Sequence, residues 1–419
     1  MESVPYLPRM RPQLILAVLG LLAVLGTGQF VKVLSTPIGK CIAIFTIWFM
    51  ACIPFGAWPG GSFTVLSDVW YKSALIYFMT AGLLTTLPQA NRIYHTIAYA
   101  IGILSLLALL KNGRDSTGRL MLANTRYANA NELAWTLLVG LVFVGFLYLR
   151  GTRSQKVIAV LLLPPILLAI SRTGSRAAML GIGVLIVVML VQAKRATRIK
   201  LMVAVPVLFA AVMVLVPENV LLRYTTFFGT YNTYDYSQTE RQRVATIGST
   251  EARKQLLIDS LIITMRHPLM GVGPGNFMVA QNELAEVRGE RAQWAVTHNA
   301  YTQISSEMGV PGLIIFFVLL YNVFKVLNSV IRTRYPGSNW QNLRQLALTL
   351  RTALIVFLPV AFFGSFAYNA EVPILAGLTT ALGFLAQNQR AIDRAANARI
   401  VAAEPQLETG VEPVPVGQY

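Results

Sequence analysis

An all-α polytopic membrane protein is the fold class this sequence predicts, and three observations predict it. Hydrophobic residues fill 55% of the 419 positions, charged residues only 13%, and the mean hydropathy is +0.57. One soluble core could not hide that much apolar surface, so lipid must solvate much of the chain. Long segments are almost free of charge, and a helix needs about 20 apolar residues to cross the hydrocarbon. Finally, the Arg and Lys residues gather at alternate ends of these segments, as the positive-inside rule requires.

Taken in order, spans are expected near residues 13–28, 36–54, 66–87, 92–110, 133–149, 157–171, 177–192, 201–216, 309–329, 345–366 and 372–388. Arg150, Arg153 and Lys156 follow one span, Lys194, Arg195, Arg198 and Lys200 another, and Arg332, Arg334 and Arg344 a third. These loops, and the tail after Gln387, are expected in the cytoplasm. By alternation, Ser171–Arg176, the long loop from Val216 to Val296 and Tyr368–Glu371 face the other side. Arg9 and Arg11 argue for a cytoplasmic N-terminus, which calls for a twelfth crossing. The expected place is residues 13–38, as a tight pair of short helices around Gly26–Gln29.

The opening segment is basic and then apolar but lacks a small-residue cleavage site, so it is expected to stay as a first helix. Four regions follow: spans with an SRTGSR turn over 1–216, a large extracytoplasmic loop over 217–297, further spans over 298–388, and a disordered cytoplasmic tail over 389–419. Cys41 and Cys52 lie in one apolar segment, roughly 16 Å apart along a helix, too far for one disulfide. They read as packing residues. The formal charge of +17 invites a nucleic-acid surface, but its scatter over loop ends excludes one, and the partner surface it suits is membrane lipid.

The long loop is too large for a simple connection and is expected to fold as a helical cap. From Arg253 to Arg266, Leu257, Leu261 and Met265 recur every four residues, joined by Ile258 and Ile262, while Lys254, Gln255, Asp259 and Ser260 fall elsewhere. This spacing predicts an amphipathic helix lying on the protein or the bilayer, ending before His267-Pro268. The following GVGPGNF predicts an open turn in which Gly271 and Gly273 allow close backbone approach.

Three features could carry chemistry. His298 is one of three histidines; His95 lies within a span and His267 precedes a proline. A helix starting near Thr297 would place His298 at its positive end, keeping the ring neutral and available as a base. The alternative is a histidine that packs or caps the loop. Arg172 and Arg176 sit four apart in the SRTGSR turn, so a helical turn would put both guanidiniums on one face, with Arg253 in the loop as a third. No Asp or Glu in the flanking spans pairs with them, and guanidinium forks suit phosphate oxygens, so a diphosphate is the natural counter-ion. Snorkelling to lipid headgroups is the alternative. The aromatic series Tyr224, Phe227, Phe228, Tyr231, Tyr234 and Tyr236 could stack sugars, but the interfacial role common to such residues is the favoured reading.

No Asp-x-Asp pair, no zinc-type His or Cys spacing and no Walker sequence is visible, so neither a metal nor a cofactor is expected.

A polytopic chain with an SR-bearing turn between middle spans, then R…HPLMGVGPGNF in a large loop, then HNAYTQISSEMGVPGL entering the next span, resembles the O-antigen ligase and polymerase superfamily. The motifs cover roughly residues 160–330. The resemblance implies an enzyme of about twelve spans with a periplasmic cap, similar in fold to C-type (GT-C) glycosyltransferases, in the bacterial inner membrane. It would take a glycan from undecaprenyl diphosphate and, as a ligase, pass it to a lipid A core sugar on the periplasmic face.

Matched residue by residue, the family histidine falls on His298 beside Asn299, and family arginines on Arg176 and Arg253; Arg172 is added on charge alone. Gly271, Gly273, Asn299 and Tyr301 are expected to position substrate. The implied reaction is metal-independent and inverting, with His298 as base and the arginines on the diphosphate. A polymerase, a protein O-oligosaccharyltransferase and, outside enzymes, a transporter of lipid-linked glycans are the competing readings.

Overall fold

A computed structural model describes residues 12–225, 238–290, 293–333 and 337–408. The helices begin with α1 (Pro12–Gly26), α2 (Gln29–Leu34), α3 (Pro37–Cys52), α4 (Pro59–Val65), α5 (Tyr71–Leu83) and α6 (Leu87–Lys111). Next come α7 (Ala130–Arg150), α8 (Arg153–Arg172), α9 (Arg176–Gln192), α10 (Arg195–Val214) and α11 (Glu218–Thr225). The cap and the final bundle helices are α12 (Gln238–Arg266), α13 (Phe277–Val287), α14 (Ala300–Arg332), α15 (Ser338–Ala361) and α16 (Glu371–Glu408). Among the described residues the one β pairing is an isolated bridge between Arg114 and Leu120.

Among the described residues seven helices are long and apolar enough to cross a membrane: α3 with its short extension to Phe55, α6, α7, α8, α10, α14 and α15. Their starts are written in the sequence. Thr86 and Thr152 open α6 and α8 with capping boxes to Gln89 and Gln155, and Ser175 accepts from Ala178 N at the start of α9. α4 passes through a π-turn at Leu66–Trp70 into α5.

The pair of short helices around Gly26–Gln29 exists, but it adds no crossing. At six residues, α2 is only about 9 Å long. Gly20 faces Met79 and Gly82 faces Val24, so α1 runs parallel to α5. The expected disordered tail is corrected as well, because α16 continues to Glu408. Its alanine-rich sequence after Gln389 favours helix. Asp393, on that extension, accepts from Gln389 Nε2 at 2.8 Å and from Trp340 Nε1 at 2.6 Å. Residues 409–419 lie outside the described residues.

The cap comprises α12 and α13. Leu256, Ile263, Val272, Phe277, Ala280 and Leu284 form a small core of their own. Within it Asp259, only 2% exposed, accepts from Arg288 Nη1 at 2.7 Å, Gln255 Nε2 at 3.0 Å and Gln281 Nε2 at 3.3 Å. The amphipathic reading of α12 is therefore turned about its axis. Leu256, Asp259, Ser260 and Ile263 face inward, whereas Ile258, Leu261 and Met265 are exposed. A buried carboxylate with three donors outcompetes the simple apolar stripe.

Candidate active site

The site is built around a break in α14. Pro311 has no N–H to give to the carbonyl four residues earlier, and Gly309 adopts φ 70°, ψ −179° inside the helix. The carbonyls of Ser306 and Glu307 thereby lose their helical donors. The glycine loop supplies replacements: Val272 N donates to Ser306 O at 2.9 Å and Gly273 N to Glu307 O at 3.0 Å. In return Val310 N donates to Pro268 O at 2.8 Å. The HPLMGVGPGNF segment is thus laid along the interrupted helix as a substitute turn.

Only glycine permits this approach at two points. A Cβ on Gly309 would overlap the Leu269 carbonyl, and one on Gly271 would overlap the backbone of Glu307. Both residues also have positive φ. Asn276 closes the loop from the other side, its Nδ2 donating to Trp58 O and Ser62 Oγ, each at 3.1 Å. Glu307 is buried in α14, where it accepts from Gly275 N at 2.8 Å and Tyr368 Oη at 2.7 Å. Glu307 therefore ties the loop, α14 and the approach to α16 together.

That rigid base presents the turn Thr297–His298–Asn299. Asn299 is the N-cap of α14, with Oδ1 accepting from Tyr301 N at 3.0 Å and Thr302 N at 3.3 Å. His298 lies one residue before the cap, correcting the expectation of a helix starting near Thr297. Its backbone is left-handed, φ 52°, a conformation that costs a non-glycine residue free energy and often marks functional turns. Ser365, in the α15–α16 connection, holds it there: its Oγ accepts from His298 N at 3.0 Å and lies 3.3 Å from Thr297 Oγ1.

His298 opens onto a cavity of about 330 Å³ shared with Arg176, Arg253, Lys254, Thr297, Asn299 and the exposed pair Phe362 and Phe363. Arg176 comes from the first residue of α9, and Arg253 and Lys254 from α12 above it. The imidazole is neutral for a reason other than the helix dipole. Burial first, and the nearby Arg253 charge second, lower its pKa to about 4. The cavity thus combines three cationic side chains with an uncharged nitrogen base. Nδ2 of Asn299 is buried there with no partner among the described residues, leaving a donor for a ligand oxygen.

Four of the expected site residues are placed elsewhere. The turn after Arg172 is not helical: Gly174 has φ 60°, so Arg172 and Arg176 do not share a face. Arg172 instead donates through Nη2 to Leu215 O at 3.4 Å, and its carbonyl accepts from Leu120 N at 3.0 Å. Gly271 and Gly273 are buried against backbone and act through the loop's shape. Tyr301 donates to Leu358 O at 2.8 Å and stacks on Phe317 with ring centroids 5.9 Å apart, which is packing. Of the aromatic series, Tyr224 donates to Ser171 O at 2.7 Å; Phe227, Phe228, Tyr231, Tyr234 and Tyr236 lie outside the described residues.

Sequence reading missed Lys254, Ser365, Phe362 and Glu307. Glu307 carried a usable signal, since a carboxylate within an apolar helix needs a dedicated set of partners. Ser365 carried none, because its role depends on a neighbour 67 positions away.

Residues 166–317 fit the family model described as O-antigen ligase. The matched range begins inside α8 and ends inside α14, so it contains His298, Arg176 and Arg253 but not Ser365 or the Phe362–Phe363 pair. No curated protein matches the chain.

Proposed function

We propose that this chain, whose residues 166–317 fit the O-antigen ligase family model, transfers a glycan from undecaprenyl diphosphate to a lipid A core sugar on the periplasmic face of the inner membrane. The observation that carries the reading is the neutral His298 in one cavity with Arg176 and Arg253. An unprotonated imidazole beside cationic groups suits a reaction that takes a proton at one point and stabilises a departing anion at another.

In this scheme Arg176, Arg253 and Lys254 hold the donor diphosphate. An acceptor hydroxyl attacks the anomeric carbon from the face opposite the diphosphate, and its proton passes to His298. The bond from the anomeric carbon to the phosphate oxygen breaks, and undecaprenyl diphosphate leaves with the electron pair, its charge met by the guanidiniums. The anomeric centre inverts. Guanidinium and ammonium groups supply the positive field, so the scheme assigns no step to a metal. Arg176 lies at the start of α9 and Arg253 and Lys254 on α12 of the cap, an arrangement that favours chemistry between cap and bundle over passage of substrate through the bundle.

The test is reconstitution of the full chain in vesicles with purified lipid-linked donor and either lipid A core or a second donor molecule. Extension of the lipid A core supports the ligase. Extension of the second donor makes the chain a polymerase, and donor crossing the vesicle without any transfer overturns the enzymatic reading.

A further inference from the structure

A second cavity lies at the end of the bundle remote from His298. It measures about 590 Å³ and sits between the first turns of α6 and α15 and the middle of α16. Its polar lining consists of hydroxyls and amides, chiefly Thr85, Thr86, Asn91, Asn339, Asn342 and Asn388. Among the described residues no Lys, Arg, Asp or Glu lines it, although basic clusters surround the same end of the bundle.

Two independent features distinguish it from an ordinary polar recess. Asn342 is only 7% exposed, yet its Oδ1 has no hydrogen-bond partner among the described residues, and the same holds for Oδ1 of Asn91. Buried acceptors of this kind are destabilising until a donor reaches them. The second feature is the start of α15. Its N-cap is Gly337, with no side chain among the described residues capping the 24-residue helix, whereas the neighbouring α6 is closed by the Thr86–Gln89 capping box. The first-turn N–H groups of α15 therefore remain available to an anionic oxygen.

The cavity asks for a hydrogen-bond donor and an anionic group in one molecule, while its uncharged lining disfavours a ligand of net charge. Pro88, Leu343, Leu385 and Ile392 add apolar surface at its side, as a molecule anchored in lipid would require. We infer that this cavity binds the headgroup of a net-neutral phospholipid bearing a donor, as phosphatidylethanolamine does. The ammonium donates to Asn91 and Asn342, and the phosphodiester meets the α15 N-terminus. The site is separate from the transfer cavity, and its occupation does not depend on which glycan is moved.

The experiment takes the purified full-length chain, delipidated in detergent, and adds phosphatidylethanolamine, phosphatidylcholine or phosphatidylglycerol, reading retention by native mass spectrometry and melting temperature. Phosphatidylethanolamine should bind about tenfold more tightly than phosphatidylcholine, the worth of one or two hydrogen bonds. Asn342→Leu should abolish that preference without lowering the melting temperature of the lipid-free protein, since no existing bond is lost. If Asn342→Leu does not fold, Asn91→Leu gives the same readout from a less buried position. Equal binding of phosphatidylcholine overturns the donor requirement, equal binding of phosphatidylglycerol overturns the net-neutral one, and a preference unchanged in the folded variant places the lipid elsewhere.

Discussion

The main-chain N–H of His298 donates to Ser365 Oγ at 3.0 Å, so the candidate base is held in its left-handed turn by the connection between α15 and α16. A hydrogen bond of this type contributes about 1 kcal/mol. Ser365→Ala should lower kcat about tenfold while donor KM changes little, because ring position is lost and the cationic cavity is kept. Ser365→Thr should recover most of the rate. Steady-state kinetics in proteoliposomes check this; a raised KM with unchanged kcat would make Ser365 a donor contact instead.

The depressed pKa of His298 sets the direction of the pH response. The ring must be neutral to accept a proton, and in the free protein it stays neutral until pH falls toward about 4. The acid limb of kcat/KM should therefore lie well below 6.5, the ordinary histidine value. Arg253→Gln removes the neighbouring positive charge and must move that limb upward, though not as far as 6.5, because burial remains. A bound diphosphate offsets the same charge, so the limb of kcat should lie above that of kcat/KM. A pH profile of each parameter for both proteins decides the point, and a limb unmoved in Arg253→Gln removes Arg253 from the vicinity of the base.

Arg172 and Arg176 are four residues apart but should behave differently. Arg176 lines the cavity, whereas Arg172 reaches the Leu215 carbonyl. Arg176→Ala should raise donor KM or lower kcat/KM by a factor of about 10 to 100, the range for one charge-assisted contact of roughly 1.5–3 kcal/mol. Arg172→Ala should leave donor KM nearly unchanged and instead lower thermal stability. Equal kinetic defects in the two variants would contradict the placement.

Gly309→Ala should be among the most damaging conservative changes in the chain. It combines a left-handed φ with overlap against the Leu269 carbonyl, so a loss of roughly 3 kcal/mol or more is expected. Cleavage of the 267–277 loop by added protease should accelerate in parallel with loss of transfer. Gly183→Ala, where nothing lies within 4 Å of the added methyl, is the matched control.

Much of this molecule was legible from composition and spacing, because a membrane span must satisfy its own backbone within one segment. The stop before His267-Pro268 and the glycine turn follow from local chemistry, whereas the grouping of His298 with Arg176 and Arg253 was what the family resemblance implied. What was not legible depends on partners distant in sequence. The inward face of α12 is decided by Arg288 and Gln281 around Asp259, which no helical periodicity encodes. The sharing of a face by Arg172 and Arg176 was lost to a single left-handed glycine at 174. Likewise, Gly271 and Gly273 looked like ligand contacts because close backbone approach serves a substrate and a broken helix equally well.

The break in α14 also orders the events of biogenesis. Residues 267–273 emerge from the ribosome before the Ser306 and Glu307 carbonyls they grip, and well before Ser365 and Tyr368. The full set of contacts on the loop is therefore complete only once α14 and the connection between α15 and α16 have been made. A chain truncated after α14 would carry every residue of the catalytic proposal and still lack Ser365 and Tyr368, which fix the His298 turn and Glu307.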